Sequence, residues 1–248
     1  MEQRRRQGGN SGLGYYTSWE KSKENGCIYC GNTATTREHI PSKAFLLEPY
    51  PDNLPTIPAC FDCNNGYSED EKYVSCFVDL LKRQVYLDYS RREKIDIRLE
   101  KDERLRRTLQ EQIKEINGKI YFQPDEQRIL RILLKLAKCH AGFEFDYINF
   151  DNAQVNIWYD FLFNISEDIL QDFEVIPEMD TAPEIGSRVA ITSFIIQNII
   201  TQEVAGIASW IEVQENQYRY QVSLNEGRGI TVKIVIFEFL FCKVNFKD

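Results

Sequence analysis

The 248-residue sequence has no run approaching the ~20 apolar residues that a helix needs to cross a bilayer. Its richest stretch, Ile234 to Val244, is interrupted by Glu238 and Lys243. A helical membrane protein is therefore excluded, and no membrane partner is expected. No apolar segment follows the charges of Met1 to Gly14 either, so this end does not read as a secretory signal, and residues 1–24 read as a flexible arm. Self-similarity at solenoid periods is missing as well. Excess basic charge is also lacking: 30 Lys+Arg stand against 38 Asp+Glu, a net charge of −8. Spread evenly, that balance would argue against a nucleic-acid partner, which needs a basic footprint. The charge is not even. Residues 1–140 hold 24 basic and 21 acidic side chains, residues 141–248 hold 6 and 17, so a phosphate-binding surface belongs to the first part. Histidine is scarce, with only His39 and His140 available as imidazole bases.

Cysteine is present in an odd number, seven, which argues against a complete disulfide framework. Four of the seven form two C-x-x-C pairs, Cys27/Cys30 and Cys60/Cys63, separated by 29 residues. Each pair places two thiolates on one tight turn, and two such knuckles complete a tetrahedral zinc site of four sulfurs. With four protein ligands the metal keeps no position for a substrate, so the zinc is expected to be structural. Metal-binding rather than oxidised cysteines, without an export signal, imply a reducing, cytoplasmic setting. Cys76, Cys139 and Cys242 lie in apolar contexts and read as ordinary buried thiols.

Residues 15–75, rich in Cys, Pro, Gly and Asn, suggest a compact loop-built module. Ser68 with Glu71 three residues on reads as a capping box opening a helix through Tyr73, Val74, Phe77, Leu80 and Leu81. The charged stretch Lys82 to Glu115 reads first as a solvated helical face and second as a DNA-contacting ridge. Pro124 and Asp125 open a stronger helix whose stripe Ile129, Leu133, Leu136, His140 is widened by Leu130, Ile132, Leu134 and Ala137. His140, on that stripe, is expected to be a hydrogen-bonded core residue. Ile207 to Phe246 reads as three strands, Ile207 to Gln214, Tyr218 to Leu224 and Ile230 to Phe246, the last long enough to be bent or split. The fold class is thus α+β: a small zinc-stabilised module, a helical segment, and a domain with a C-terminal antiparallel sheet.

Between the knuckles lies Arg37-Glu38-His39-Ile40-Pro41. Neighbouring side chains in a strand point to opposite faces, so a carboxylate and an imidazole in sequence can serve a hard cation and a proton respectively. With Cys27-Ile-Tyr-Cys30-Gly, Thr36-Arg-Glu38-His39-Ile-Pro41, Asn53-Leu-Pro and Pro58-Ala-Cys60-Phe-Asp-Cys63-Asn64-Asn65-Gly66, the sequence resembles the HNH (ββα-metal) endonuclease family. The variant it resembles carries C-x-x-C, E-H-I-x-P and C-x-x-C-N, and the likeness covers about residues 25–80. It divides the chain into an arm (1–24), an endonuclease module (25–85) and a helical plus sheet accessory or regulatory domain (86–248).

The resemblance implies that Glu38 and Asn64 hold a catalytic Mg²⁺ or Mn²⁺, that His39 is the general base, and that Asn53 sets the loop and orients that base. Many family members end the motif with His where this chain has Asn64 or Asn65, yet an Asn carbonyl remains a good ligand for a hard cation. Arg37 and Lys43 flank the set as phosphate-binding candidates. Asp70 and Glu71 read first as helix-dipole partners and second as a spare metal ligand. Tyr15, Tyr16 and Trp19 read as packing residues that could stack on nucleotides. The expected function is metal-dependent hydrolysis of DNA phosphodiesters, as in prokaryotic and phage-defence nucleases. The alternative is a catalytically silent, zinc-stabilised module that binds nucleic acid or protein. A homodimer would bring two nicking sites together, and a regulatory protein or ligand would engage residues 86–248.

Overall fold

The structure is a computed structural model that describes residues 26–52, 54–86, 92–145, 150, 153–176, 178–179, 194–197, 204–207, 209–224 and 229–247. Strand β1 (Thr36–His39) pairs antiparallel with β2 (Thr56–Ala59), in the register Thr36 to Ala59 and His39 to Thr56. A short helix, α1 (Phe61–Gly66), leads straight into the long α2 (Ser68–Val85). The capping-box expectation is corrected here. Tyr67 is the N-cap and makes no side-chain cap bond, the Ser68 hydroxyl donates to the Asn65 carbonyl, and Glu71 turns away into an ion pair.

The charged stretch forms two helices, α3 (Glu93–Lys101) and α4 (Glu103–Gln112), then gives way at Ile113 to the hairpin β3 (Ile113–Ile116) and β4 (Lys119–Phe122). It is not simply a solvated face. Arg92 is 4% exposed, donating to Asp79 at 2.7 Å and stacked 3.6 Å from the Phe237 ring, whereas Arg104, Arg106 and Arg107 are exposed. Helix α5 (Glu126–Phe145) buries Ile129, Ile132, Leu133, Leu136, Ala137 and His140, as the apolar stripe predicts.

The rest is a mixed α+β arrangement. Strand β5 (Gln154–Phe161) lies in a region with no predicted strand, and helix α6 (Glu167–Glu174) follows it. The short strands β6 (Glu178–Met179), β7 (Phe194–Gln197) and β8 (Val204–Ile207) form a three-stranded sheet in the order β6-β8-β7. Then come β9 (Ile211–Gln214), β10 (Tyr218–Leu224), β11 (Ile230–Ile236) and β12 (Leu240–Lys247). With β5 these make a five-stranded antiparallel sheet in the order β5-β12-β11-β10-β9. Of the three predicted C-terminal strands, Tyr218 to Leu224 has the predicted bounds. The first is divided, because Ile207 belongs to β8 and Ile211 opens β9. The last is split by a turn in which Phe237 (φ 60°) and Glu238 (φ 47°) take the left-handed conformation. That turn is held from outside: Lys82 donates to the Phe237 carbonyl, and Arg219 reaches Glu238 at 2.8 Å.

A single hydrophobic cluster runs from Cys27 and Ile28 through α2 and α5 to Phe246, so the cysteine-rich segment and the sheet share one core. Gly142 in α5 makes that contact close. A Cβ there would sit 2.6 Å from the Ile28 side chain and 3.1 Å from that of Ile57. Cys76, Cys139 and Cys242 are buried, and His140 hydrogen-bonds the Tyr218 hydroxyl at 2.8 Å, both as expected. Among the described residues no helix is long and apolar enough to cross a membrane.

Candidate metal centre and hydrolytic site

The first knuckle is a tight turn made possible by glycine. Gly31 N–H donates to the Cys27 carbonyl at 2.8 Å, and Cys27 N–H to the Asn32 carbonyl at 2.7 Å. Gly26 (φ 77°) and Gly31 (φ 70°) lie in the left-handed region, and a Cβ on Gly26 would fall 2.4 Å from the Gly31 carbonyl oxygen. The second knuckle is the start of α1. Cys60 caps that helix, its sulfur accepting the Cys63 N–H at 3.4 Å, and this bond holds the Cys60 thiol below the usual cysteine range. Ile28 N–H to the Pro58 carbonyl and Thr35 N–H to the Ala59 carbonyl, both 3.1 Å, stitch the first knuckle to β2.

All four sulfurs, of Cys27, Cys30, Cys60 and Cys63, lie within 4.8 Å of one another. A tetrahedral four-sulfur site with ~2.3 Å zinc–sulfur bonds has sulfur–sulfur edges of roughly 3.8 Å. The Cys30 to Cys60 separation is 3.8 Å. The four cysteines thus fit a metal such as zinc, and this cluster ties the segment before β1 to the segment after β2.

Alternation along β1 sends Arg37 and His39 to one face and Glu38 to the other. His39 is half-buried. Burial, and then the Lys43 ammonium, hold its imidazole below the ordinary histidine value, so it is neutral and able to accept a proton at pH 7. Arg37 is exposed. Lys43 begins the 3-10 turn Lys43–Phe45, with its ammonium 5.0 Å from the Tyr50 ring centre. The loop after His39 is pinned by side chains from two elements, α3 and β9. Lys94 of α3 donates to the Lys43 and Leu46 carbonyls and the Tyr50 hydroxyl at 2.7, 3.0 and 2.9 Å. Arg98 bonds the Ala44 carbonyl at 3.4 Å. Gln214 of β9 pairs its side-chain amide with Leu47, accepting its N–H at 2.8 Å and donating to its carbonyl at 3.0 Å.

Glu38 has a different setting. It is 5% exposed, with Oε1 3.1 Å from the Nζ of Lys135 on α5, itself 1% exposed and also in contact with Glu71. Glu38 Oε2 is buried without a hydrogen-bond partner. Burial raises the Glu38 carboxyl above the usual range, with Lys135 offsetting part of the effect. Burial also works against the Lys135 ammonium, yet Glu71 and Glu38 together keep it above the usual lysine value. One ammonium serves two carboxylates, and Glu71 takes the larger share. One turn further along α5, the Cys139 thiol and the Tyr29 hydroxyl lie 2.9 Å apart.

Asn64, on α1, uses its amide nitrogen to reach the Thr36 hydroxyl at 3.0 Å and the Arg37 carbonyl at 3.4 Å. It clamps β1 beside Glu38. The acids at the start of α2 also turn to α5: Asp70 pairs with Arg128 (2.6 Å) and Arg131 (2.5 Å), and Glu71 with Lys135. Neither is a spare metal ligand in this arrangement. Asn53, Tyr15, Tyr16 and Trp19 lie outside the described residues.

The oxygen donors of Glu38 and Asn64 suit Mg²⁺ or Mn²⁺ by chemistry. By geometry they do not fit, because the Glu38 carboxylate faces the interior and is already paired with a lysine. Lys135 and Gln214 were not singled out from the sequence, and Lys94 only as part of the charged stretch Lys82 to Glu115. The one signal for Lys135 is a lysine between Leu134 and Leu136 on an apolar helix, since a buried lysine needs a carboxylate partner. No family model, curated protein or solved structure matches the chain. The class that fold and site define is a mixed α+β protein with a C-terminal five-stranded antiparallel sheet and a four-cysteine cluster suited to zinc.

Proposed function

We propose that this chain is a zinc-stabilised nuclease of the ββα-metal kind that hydrolyses phosphodiester bonds of DNA. The observation that supports this reading is His39: a neutral, half-exposed imidazole on a hairpin whose two ends are closed by the cysteine cluster, with Arg37 on the same strand face and Lys43 four residues on. In this reading zinc is scaffold. Its chemistry is to hold four thiolates, and its effect is to fix the ends of the segment that presents His39. His39 takes the proton of the attacking water, a task suited to an imidazole that is unprotonated at pH 7. Arg37 and Lys43 bind phosphate oxygens and offset the negative charge that grows on them. The excess acid of residues 141–248 limits non-specific binding and leaves approach to the Arg37 side.

A second reading, a silent zinc-stabilised binding module, draws support from the Glu38–Lys135 pair, which leaves no open carboxylate beside His39. Nicking of supercoiled plasmid in Mg²⁺ or Mn²⁺ separates the two. The nuclease reading expects nicking that His39→Ala abolishes while the protein keeps one zinc per chain. The binding-module reading expects DNA binding or none, and no product from either protein.

A further inference from the structure

The geometry points to Lys135 as the resident cation of the Glu38 site: its ammonium holds Glu38 and Glu71 together, and removing it unmasks a divalent-cation site made by those two carboxylates. The inference deepens the nuclease reading, on which it rests for the kind of cation. Three observations lead to it. The two carboxylates come from different elements, β1 and α2, and converge on one nitrogen, with Glu38 Oε1 at 3.1 Å and Glu71 Oε1 in contact. The cluster is largely shielded from water, with Lys135 1% and Glu38 5% exposed and the Glu71 side chain 13% exposed. Its charge does not balance, since two carboxylates share one ammonium and Glu38 Oε2 is buried with no hydrogen-bond partner.

An ammonium is a compact point charge, and two carboxylate oxygens around it resemble part of the oxygen shell that Mg²⁺ or Mn²⁺ takes. A divalent cation would also supply the charge the cluster lacks. Buried carboxylates left without a counter-ion are costly, so once the ammonium is missing they take up a proton or a cation. At neutral pH, above the ordinary carboxyl range, a divalent ion competes for the site. With Lys135 in place, a divalent ion must displace a paired ammonium from a closed interior. The wild-type chain is therefore expected to hold no divalent ion on Glu38.

The test is Mn²⁺ binding to the zinc-loaded full chain, followed by calorimetry and by loss of the free-ion electron paramagnetic resonance signal. DNA is absent, so the result is independent of whether the chain is a nuclease. Wild type and Glu38→Gln should behave alike. Lys135→Ala should gain one Mn²⁺ per chain with affinity about tenfold or more above wild type, and Lys135→Ala/Glu38→Gln should lose it. Lys135→Gln, which keeps much of the length and a donor, is the second variant in case Lys135→Ala does not fold. Mn²⁺ binding by wild type that Glu38→Gln removes would overturn the inference. So would a folded Lys135→Ala or Lys135→Gln protein that binds Mn²⁺ no better than wild type. Failure of plasmid nicking, with the Mn²⁺ site gained as described, would count against the nuclease reading alone.

Discussion

Replacing Lys135 by Met keeps most of the length of the side chain and deletes its charge, leaving Glu38 and Glu71 facing each other in a closed interior. Lys135 is 1% exposed and its two partners only 6% and 13% exposed at the side chain, so little solvent screening reduces the effect. Breaking a buried pair by removing one member costs about 3–5 kcal/mol. For a chain of this size, with roughly 2–4 °C per kcal/mol, the melting temperature should fall by roughly 6–20 °C at pH 7. The loss should also shrink in acid. Burial already raises the Glu38 carboxyl, and without Lys135, which offsets part of that effect, it rises further. The folded variant then binds protons at a pH where its unfolded chain does not, so its stability relative to wild type recovers as pH falls toward the unfolded carboxyl value. Urea unfolding of zinc-loaded wild type and Lys135→Met at pH 7.0 and 5.0 measures both effects. A difference below about 1 kcal/mol at pH 7, the size of an exposed pair, would refute the reasoning and leave Glu38 free to serve a cation.

Three other outcomes are expected. Gly26→Ala must place a Cβ against the Gly31 carbonyl in a left-handed conformation that costs an L residue about 1–2 kcal/mol; competition with a chromogenic chelator should show zinc lost more readily than from wild type. Lys94→Met removes three donated bonds from the loop after His39. Hydrogen exchange should then quicken at the amides of residues 43–50 with little change in α5, and an unchanged rate there would mean the loop is held by other contacts. Burial and Lys43 hold His39 below its usual value, so its ring protons should titrate below pH ~6.5. The same shift makes the unfolded state bind more protons below that pH, so His39 lowers stability as the solution is acidified. A midpoint above ~6.5 in a nuclear magnetic resonance titration, assigned by comparison with His39→Ala, would contradict the buried-imidazole account.

What was legible in the sequence was what depends on near neighbours. The two C-x-x-C pairs locate the four-cysteine cluster because each knuckle is local, and the apolar stripe of α5 locates the core helix because its period is local. What was not legible depends on distant partners. Ser68 and Glu71 have the spacing of a capping box, but Glu71 is drawn to Lys135, 64 residues away. The turn at Phe237 and Glu238 lacks the Gly or Asn that marks left-handed positions, and it is held by Lys82 and Arg219 instead. Asn117-Gly118, a strong local hairpin signal, does mark the β3–β4 turn, with φ of 54° and 73°, although the surrounding charge pattern reads as helix up to Glu115. The motif Glu38-His39 gave the chemistry of a carboxylate and an imidazole on opposite faces. It could not give the lysine on the carboxylate's side, which comes from a helix far along the chain and makes the expected Glu38–Asn64 cation site a poor fit as the residues stand.

The central claim is that His39, presented by a zinc-held hairpin, removes the proton in phosphodiester hydrolysis. Its most direct test is the rate of plasmid nicking by wild type and His39→Ala in the same Mg²⁺ or Mn²⁺ buffer, with zinc content measured on both. The account predicts nicked product from wild type and none from His39→Ala at equal zinc. Equal nicking by the two proteins, or no cleavage of plasmid, single-stranded DNA or RNA by zinc-loaded wild type and Lys135→Ala alike, would contradict it.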